Sequence, residues 1–229
     1  LGDVYKRQSP LSVYKELIRM HKEEGLSCRN VIVFNMYEYY PLAPDAINSN
    51  FNALKSMLLD HIDIDKQNIF TPDGTIAKDT IFEYCRLYEQ RIESFGGIDI
   101  ALLGIGRVGN IAFNEPGSSL TSRTRQKTLT TDTIIANSRF FDNDINKVPK
   151  TALTVGVGTV LSAKEVMIIV NGHNKARALY HAVEGSITQM WTISALQMHE
   201  KGIIVCDDAA TAELKVGTYR YFKDIESAH

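Results

Sequence analysis

The chain has 229 residues, 44% of them hydrophobic and 23% charged. That is the balance of an ordinary globular protein and enough length for one large domain. Lys plus Arg number 25 against 27 Asp plus Glu, a formal net charge of -2, so no basic field exists to make nucleic acid or an anionic membrane the main partner. Mean hydropathy is -0.13, and no apolar run approaches the roughly 20 residues that span a bilayer.

Leu1-Gly2-Asp3-Val4-Tyr5-Lys6-Arg7-Gln8 has neither a Met nor an apolar signal core, so it does not read as a secretory leader. It resembles a translated adapter, and a single truncated domain is expected over 9–229. From Leu11 to Glu24, Tyr14, Leu17, Ile18 and His21 recur at helical spacing, with Gly25 placed for a C-cap. Val31-Ile32-Val33-Phe34 reads as a short buried strand. Phe51, Leu54, Met57 and Leu58 mark a second helix. Ile81, Cys85, Tyr88 and Ile92 mark a third, closed by Gly96-Gly97. A strand from Ile98 to Leu103 runs into Gly104-Ile105-Gly106, and Val166 to Val170 is another. A helix is expected from about Asn174 to Val183, a strand over Gly202–Cys206 and a last helix around Ala209 to Leu214. Apolar strands alternating with helices predict βαβ units: an α/β, Rossmann-like, largely parallel sheet with helices on both faces. Ligands in such folds bind beyond the carboxyl ends of the strands.

The loops at those ends carry the chemistry. Asn35-Met36-Tyr37-Glu38-Tyr39-Tyr40-Pro41 is either the lining of a sugar pocket or a packed aromatic corner with Glu38 in solvent. Gly104 to Gly117 permits close backbone approach to a phosphate or sugar, with Asn110, Asn114 and Glu115 able to orient hydroxyls. It is no dinucleotide fingerprint, because no helix directly follows the glycines. In SSLTSRTRQK (118–127), Arg123, Arg125 and Lys127 stand beside hydroxyls, a set suited to charge-assisted bonds to a phosphate or else to a solvated basic face. Arg139 and Lys175 are further anion candidates. The histidines fall at no metal-ligand spacing and in no local hydrolase signature, and Trp191 reads as core. Cys28, Cys85 and Cys206 are widely spaced, so neither a disulfide framework nor a zinc site is expected, and a reducing cytoplasm fits.

NIAFNEPGSSLTSRTRQKTL (Asn110–Leu129), ANSRFFDND (Ala136–Asp144), PKTALTVGVGT (Pro149–Thr159), VEGSITQMWTISALQMH (Val183–His199) and ELKVGTYRYF (Glu213–Phe222) resemble the glucosamine-6-phosphate deaminase family. SPLSVYKELIRMHKEEG and NMYEYY are fainter matches in register. The resemblance implies isomerisation and deamination of glucosamine 6-phosphate to fructose 6-phosphate and ammonia, without a cofactor or metal, in a cytoplasmic homo-oligomer that is a hexamer in the family. It assigns Glu115 to the ring-opening relay and Ser9, Arg139 and Lys175 to the substrate phosphate. It assigns Ser118, Arg125, Lys127, Thr128 and Tyr221 to an allosteric pocket for N-acetylglucosamine 6-phosphate. The resemblance places a first strand and a Gly-rich phosphate loop before Ser9; both are expected to be missing from this chain, with Ser9-Pro10 the remaining tail of the loop.

The chain departs from the family where protons move. Tyr37 stands in place of the aspartate of NMDEY, and Val108 and Asn110 stand in place of the aspartate and histidine of GxDGH. A phenol ordinarily titrates near 10 and is a poor base at neutral pH; valine and an amide do not titrate. Glu38 is a weak substitute, since neighbours on a strand point opposite ways. Impaired turnover is therefore expected, either in a divergent member or through the joining of two related genes near NIAFNEPGS. The alternatives are a non-catalytic sugar-phosphate-binding domain and, less favoured, a 6-phosphogluconolactonase-like hydrolase.

Overall fold

The computed structural model describes residues 10–227. The expectations for residues 1–8 and for Ser9 lie outside them. In chain order the elements are α1 (Leu11–Glu24), β1 (Val33–Phe34), β2 (Tyr37–Tyr40), α2 (Asn50–Met57), β3 (Ile69–Phe70), α3 (Ile81–Ser94) and β4 (Ile100–Gly104). They continue as β5 (Arg125–Thr128), α4 (Thr131–Asn137), β6 (Thr151–Thr154), α5 (Val157–Leu161), β7 (Glu165–Val170), α6 (Ala176–Val183), β8 (Gly202–Cys206) and α7 (Val216–Ser227).

Several boundaries follow from local chemistry. Gly25 closes α1 in the left-handed region, its N–H on the Met20 carbonyl. Gly96 and Gly97, both at φ 85, close α3, and the Gly97 N–H donates to Ile92 O. The buried stripe of α3 is Ile81, Cys85, Tyr88 and Ile92, the residues its spacing marks. At the end of the chain the expectation needs correcting. Asp208–Thr211 is a short 3-10 turn, and the α-helix is α7. Asp207 caps that turn by accepting from the Ala210 N–H, which uses the segment as a connector.

Strands β4, β7 and β8 form a parallel sheet, and β1 pairs in parallel with β3. The α/β class with parallel strands and covering helices stands. The sequence pattern did not separate a third group, the antiparallel sheet β2-β6-β5. The main core gathers β4, β7, α6 and the Thr192–Met198 turn around Ile111, Val166, Ile168, Leu179 and Ile193. A smaller cluster of Tyr39, Phe113, Phe141 and Ala152 packs on the antiparallel sheet. Register places Gly104 opposite Ile169, so the loops leaving β4 and β7 emerge side by side. Cys28, Cys85 and Cys206 are free. No helix among the described residues is long and apolar enough to cross a membrane.

Candidate active site

Two loops meet at the carboxyl ends of β4 and β7. The first makes a tight turn, Gly109 N–H donating to Gly106 O at 2.9 Å, with Arg107 and Val108 at its corners. Asn110 locks this turn. Its backbone carbonyl accepts from the Gly106 N–H, its Nδ2 donates to Ala112 O, and its Oδ1 fills the space where a Cβ on Gly106 would sit. Thr192 holds the next turn from below, accepting from the Ile111 N–H and donating to Asn114 O, both at 3.1 Å. Trp191 lies against Gly109 and stacks on His181 at 3.8 Å. The Trp191 ring is therefore core-packed on one side and a support for the loop.

From the second loop, Lys175 precedes α6 and its ammonium donates to Ile105 O at 2.6 Å, bridging the two strand ends. Burial pushes the Lys175 pKa down to about 8, and the positive charges of Arg139 and Arg107 push the same way. Arg139 is exposed beside Phe140, its guanidinium 4.9 Å from the ring centroid. Asp142 and Asn143, both at φ 57, turn the chain just after it. The sequence pattern marks Arg107 only as part of the Gly loop. Its signal, a cation between turn glycines at a strand end, was present in the sequence.

Glu115 is 1% exposed. Its carboxylate accepts from the Thr130 N–H at 3.3 Å and the Thr130 hydroxyl at 3.4 Å. Thr130, the N-cap of α4, was not anticipated as its partner. Ser118, buried, donates its hydroxyl to Glu115 O at 2.6 Å. Arg125 donates to the Asn114 side chain at 2.9 Å, and its own pKa is lowered by burial. Burial and Arg125 lower the Lys127 pKa, while Glu115 opposes them. Arg125 and Lys127 lie two residues apart on β5, so strand alternation puts them on one face. Ser118, Glu115, Arg125 and Lys127 are thus one neighbourhood. Thr128 is exposed and out of phase with that face. Tyr221 is exposed on α7, its ring edge-on to Phe222. Among the described residues, no hydrogen bond or ring contact joins it to the cluster.

The family model described as "Glucosamine-6-phosphate isomerases/6-phosphogluconolactonase" matches residues 8–205. The chain belongs to that family. A glucosamine-6-phosphate deaminase of Bacteroides thetaiotaomicron is 71% identical over 221 residues, 96% of this chain and 81% of that protein. A solved structure described as a monomeric glucosamine-6-phosphate deaminase superposes with a TM-score of 0.85 at 40% identity, covering 89% of this chain and 83% of that one. A 6-phosphogluconolactonase from Trypanosoma brucei has a TM-score of 0.66 at 17% identity, covering 91% and 83%, a likeness of fold alone.

Against that family, the departures have defined surroundings. Tyr37 is half-buried, its ring 4.7 Å from Phe113 in an edge-to-face contact. Tyr14, whose pKa is raised to about 12 chiefly by burial, faces it. Val108 is half-buried at the loop corner and Asn110 is buried as the lock just described. Of the two readings of this loop, the packed aromatic corner is present around Tyr37, but without the solvated Glu38 that went with it. Glu38 is 0% exposed and accepts from the backbone N–H groups of Tyr39, Asn50 and Phe51 at 2.9–3.0 Å. Asn50 and Phe51 open α2, so Glu38 caps that helix from the opposite face of β2, where α2 packs.

Proposed function

We propose that the chain takes glucosamine 6-phosphate at the loops after β4 and β7 and descends from enzymes that convert it, with water, to fructose 6-phosphate and ammonia. The observation that carries the binding step is Lys175, its ammonium held on Ile105 O just beyond β4, with the positive charges of Arg139 and Arg107 acting on it. An anion there would relieve the cost of holding a half-desolvated ammonium among like charges. Glu115, oriented by Thr130, is the group that could shuttle a proton during ring opening. Ser9 would complete the phosphate contacts.

Turnover is proposed to be severely reduced. Tyr37, Val108 and Asn110 supply no base that works at neutral pH, and Glu38 is committed to α2. The coupled release of ammonia and fructose 6-phosphate tests this directly. Near-normal activity would contradict the impairment, and a failure to bind glucosamine 6-phosphate at millimolar concentration would remove the reading altogether. Tyr37→Asp, Val108→Asp and Asn110→His together should raise the rate above that of the parent chain.

A second reading, a sugar-phosphate binder without turnover, is favoured by the same engagement of Glu38 and Asn110 in structural bonds. A thermal shift with glucosamine 6-phosphate and no ammonia would select it. The lactonase alternative is named in the family description, but the solved lactonase from Trypanosoma brucei, at 17% identity, adds likeness of fold alone. Ser118, Arg125, Lys127, Thr128 and Tyr221 are proposed as an N-acetylglucosamine 6-phosphate pocket, tested by whether that sugar changes affinity for the substrate. Cytoplasmic location and hexamer formation belong to the same proposal. Sedimentation tests the assembly, and a monomer, as in the solved relative, would overturn it.

A further inference from the structure

We infer that Arg107, at the corner of the Gly106–Gly109 turn, is a third cation of the phosphate cradle and sets how strongly it prefers phosphorylated over unphosphorylated ligands. The inference rests on the reading that Lys175 and Arg139 face a phosphate. Lys175 donates to Ile105 O at 2.6 Å, which fixes its ammonium within two residues of Arg107 along the loop. The turn itself is closed by the Gly109-to-Gly106 bond and filled by the Asn110 side chain, so Arg107 is presented on a rigid corner.

Charge sets this arginine apart from four others in the fold. Arg19, Arg86, Arg123 and Arg177 each pair with a glutamate. Among the described residues Arg107, Arg139 and Lys175 form no ion pair, and the charges acting on Lys175 are those of Arg139 and Arg107. Like charges held together without a counter-ion form a focused positive field. A phosphate monoester dianion answers it, because its oxygens can accept from an ammonium and two guanidinium groups at once. A neutral sugar hydroxyl does not.

The test is calorimetric titration of the folded chain with inorganic phosphate, glucosamine 6-phosphate and glucosamine, at low and high salt, for the parent, Arg107→Ala and Arg107→Lys. Circular dichroism confirms that each variant folds. Arg107→Ala should weaken inorganic phosphate and glucosamine 6-phosphate by about ten-fold and flatten the salt dependence, as loss of one charge-assisted contact implies. Glucosamine should be unaffected, and Arg107→Lys should restore part of the loss. Should Arg107→Ala bind both phosphates like the parent, Arg107 is a solvated turn residue and the inference falls while the proposed function stands. Should the parent bind inorganic phosphate through Arg107 yet ignore glucosamine 6-phosphate, the inference stands and the proposed function falls.

Discussion

Glu38→Ala separates a structural carboxylate from a replacement base. The side chain is 0% exposed and receives the N–H groups of Tyr39 and Asn50 on Oε1 and that of Phe51 on Oε2. Truncation removes this acceptor from the Asn50 and Phe51 N–H groups at the head of an eight-residue helix, where Ser49 accepts from Asn52, and from the Tyr39 N–H on β2. Each buried donor left unsatisfied costs about 1–3 kcal/mol. Loss of a negative charge at the helix N-terminus adds about 0.3–1 kcal/mol. Because Phe51 is only half-buried, water can recover part of this, and the expected loss is on the order of 4 kcal/mol, a large share of the 5–15 kcal/mol of a typical domain. Glu38→Gln keeps one oxygen acceptor and should lose about half as much. Urea denaturation followed by circular dichroism measures both. A loss below about 1 kcal/mol in Glu38→Ala, with residual deaminase activity abolished, would refute the capping argument and make Glu38 the proton acceptor.

Gly109 has φ 65, and a Cβ there would lie 2.4 Å from Trp191 Cε3. Gly109→Ala should therefore cost roughly 2–4 kcal/mol and loosen phosphate binding, while adding Trp191→Ala should recover part of the stability in a double-mutant cycle; purely additive losses would argue against the contact. Anion binding favours the charged form of Lys175, whose pKa lies at about 8 in the free protein. Phosphate affinity should hold below that pH and fall as pH rises through and above it, since the bound ammonium titrates higher than the free one. Calorimetry from pH 7 to pH 10 reads this trend, and a flat profile, or the same slope in Lys175→Arg, would contradict it. Glu89 accepts from the Thr124 N–H, the Thr124 hydroxyl and the Thr159 hydroxyl through one oxygen. Glu89→Gln should cost on the order of 2 kcal/mol in thermal or urea unfolding, and an unchanged midpoint would show that these bonds are replaceable.

Much of the architecture was legible in residue order. The stripe Ile81, Cys85, Tyr88 and Ile92, the cap at Gly25 and the runs at Val166–Val170 and Gly202–Cys206 each encode an element through local periodicity and chain geometry, and they alone imply parallel strands with a ligand site at their ends. The residues that make the family resemblance were equally plain, because Asn110–Leu129 is contiguous. Tertiary structure decided what those residues touch. RTRQK gave no apolar alternation, so β5 emerges as a strand only by pairing with β6. Glu38 looked like a pocket-lining or solvated carboxylate until α2, twelve residues downstream, brought its open N–H groups onto it. Lys175 reached the loop that carries Arg107 only when adjacent parallel strands aligned segments some 70 residues apart in sequence. Periodicity reports which face of an element is apolar. The partner of a buried charge is set by long-range packing, which no local pattern contains.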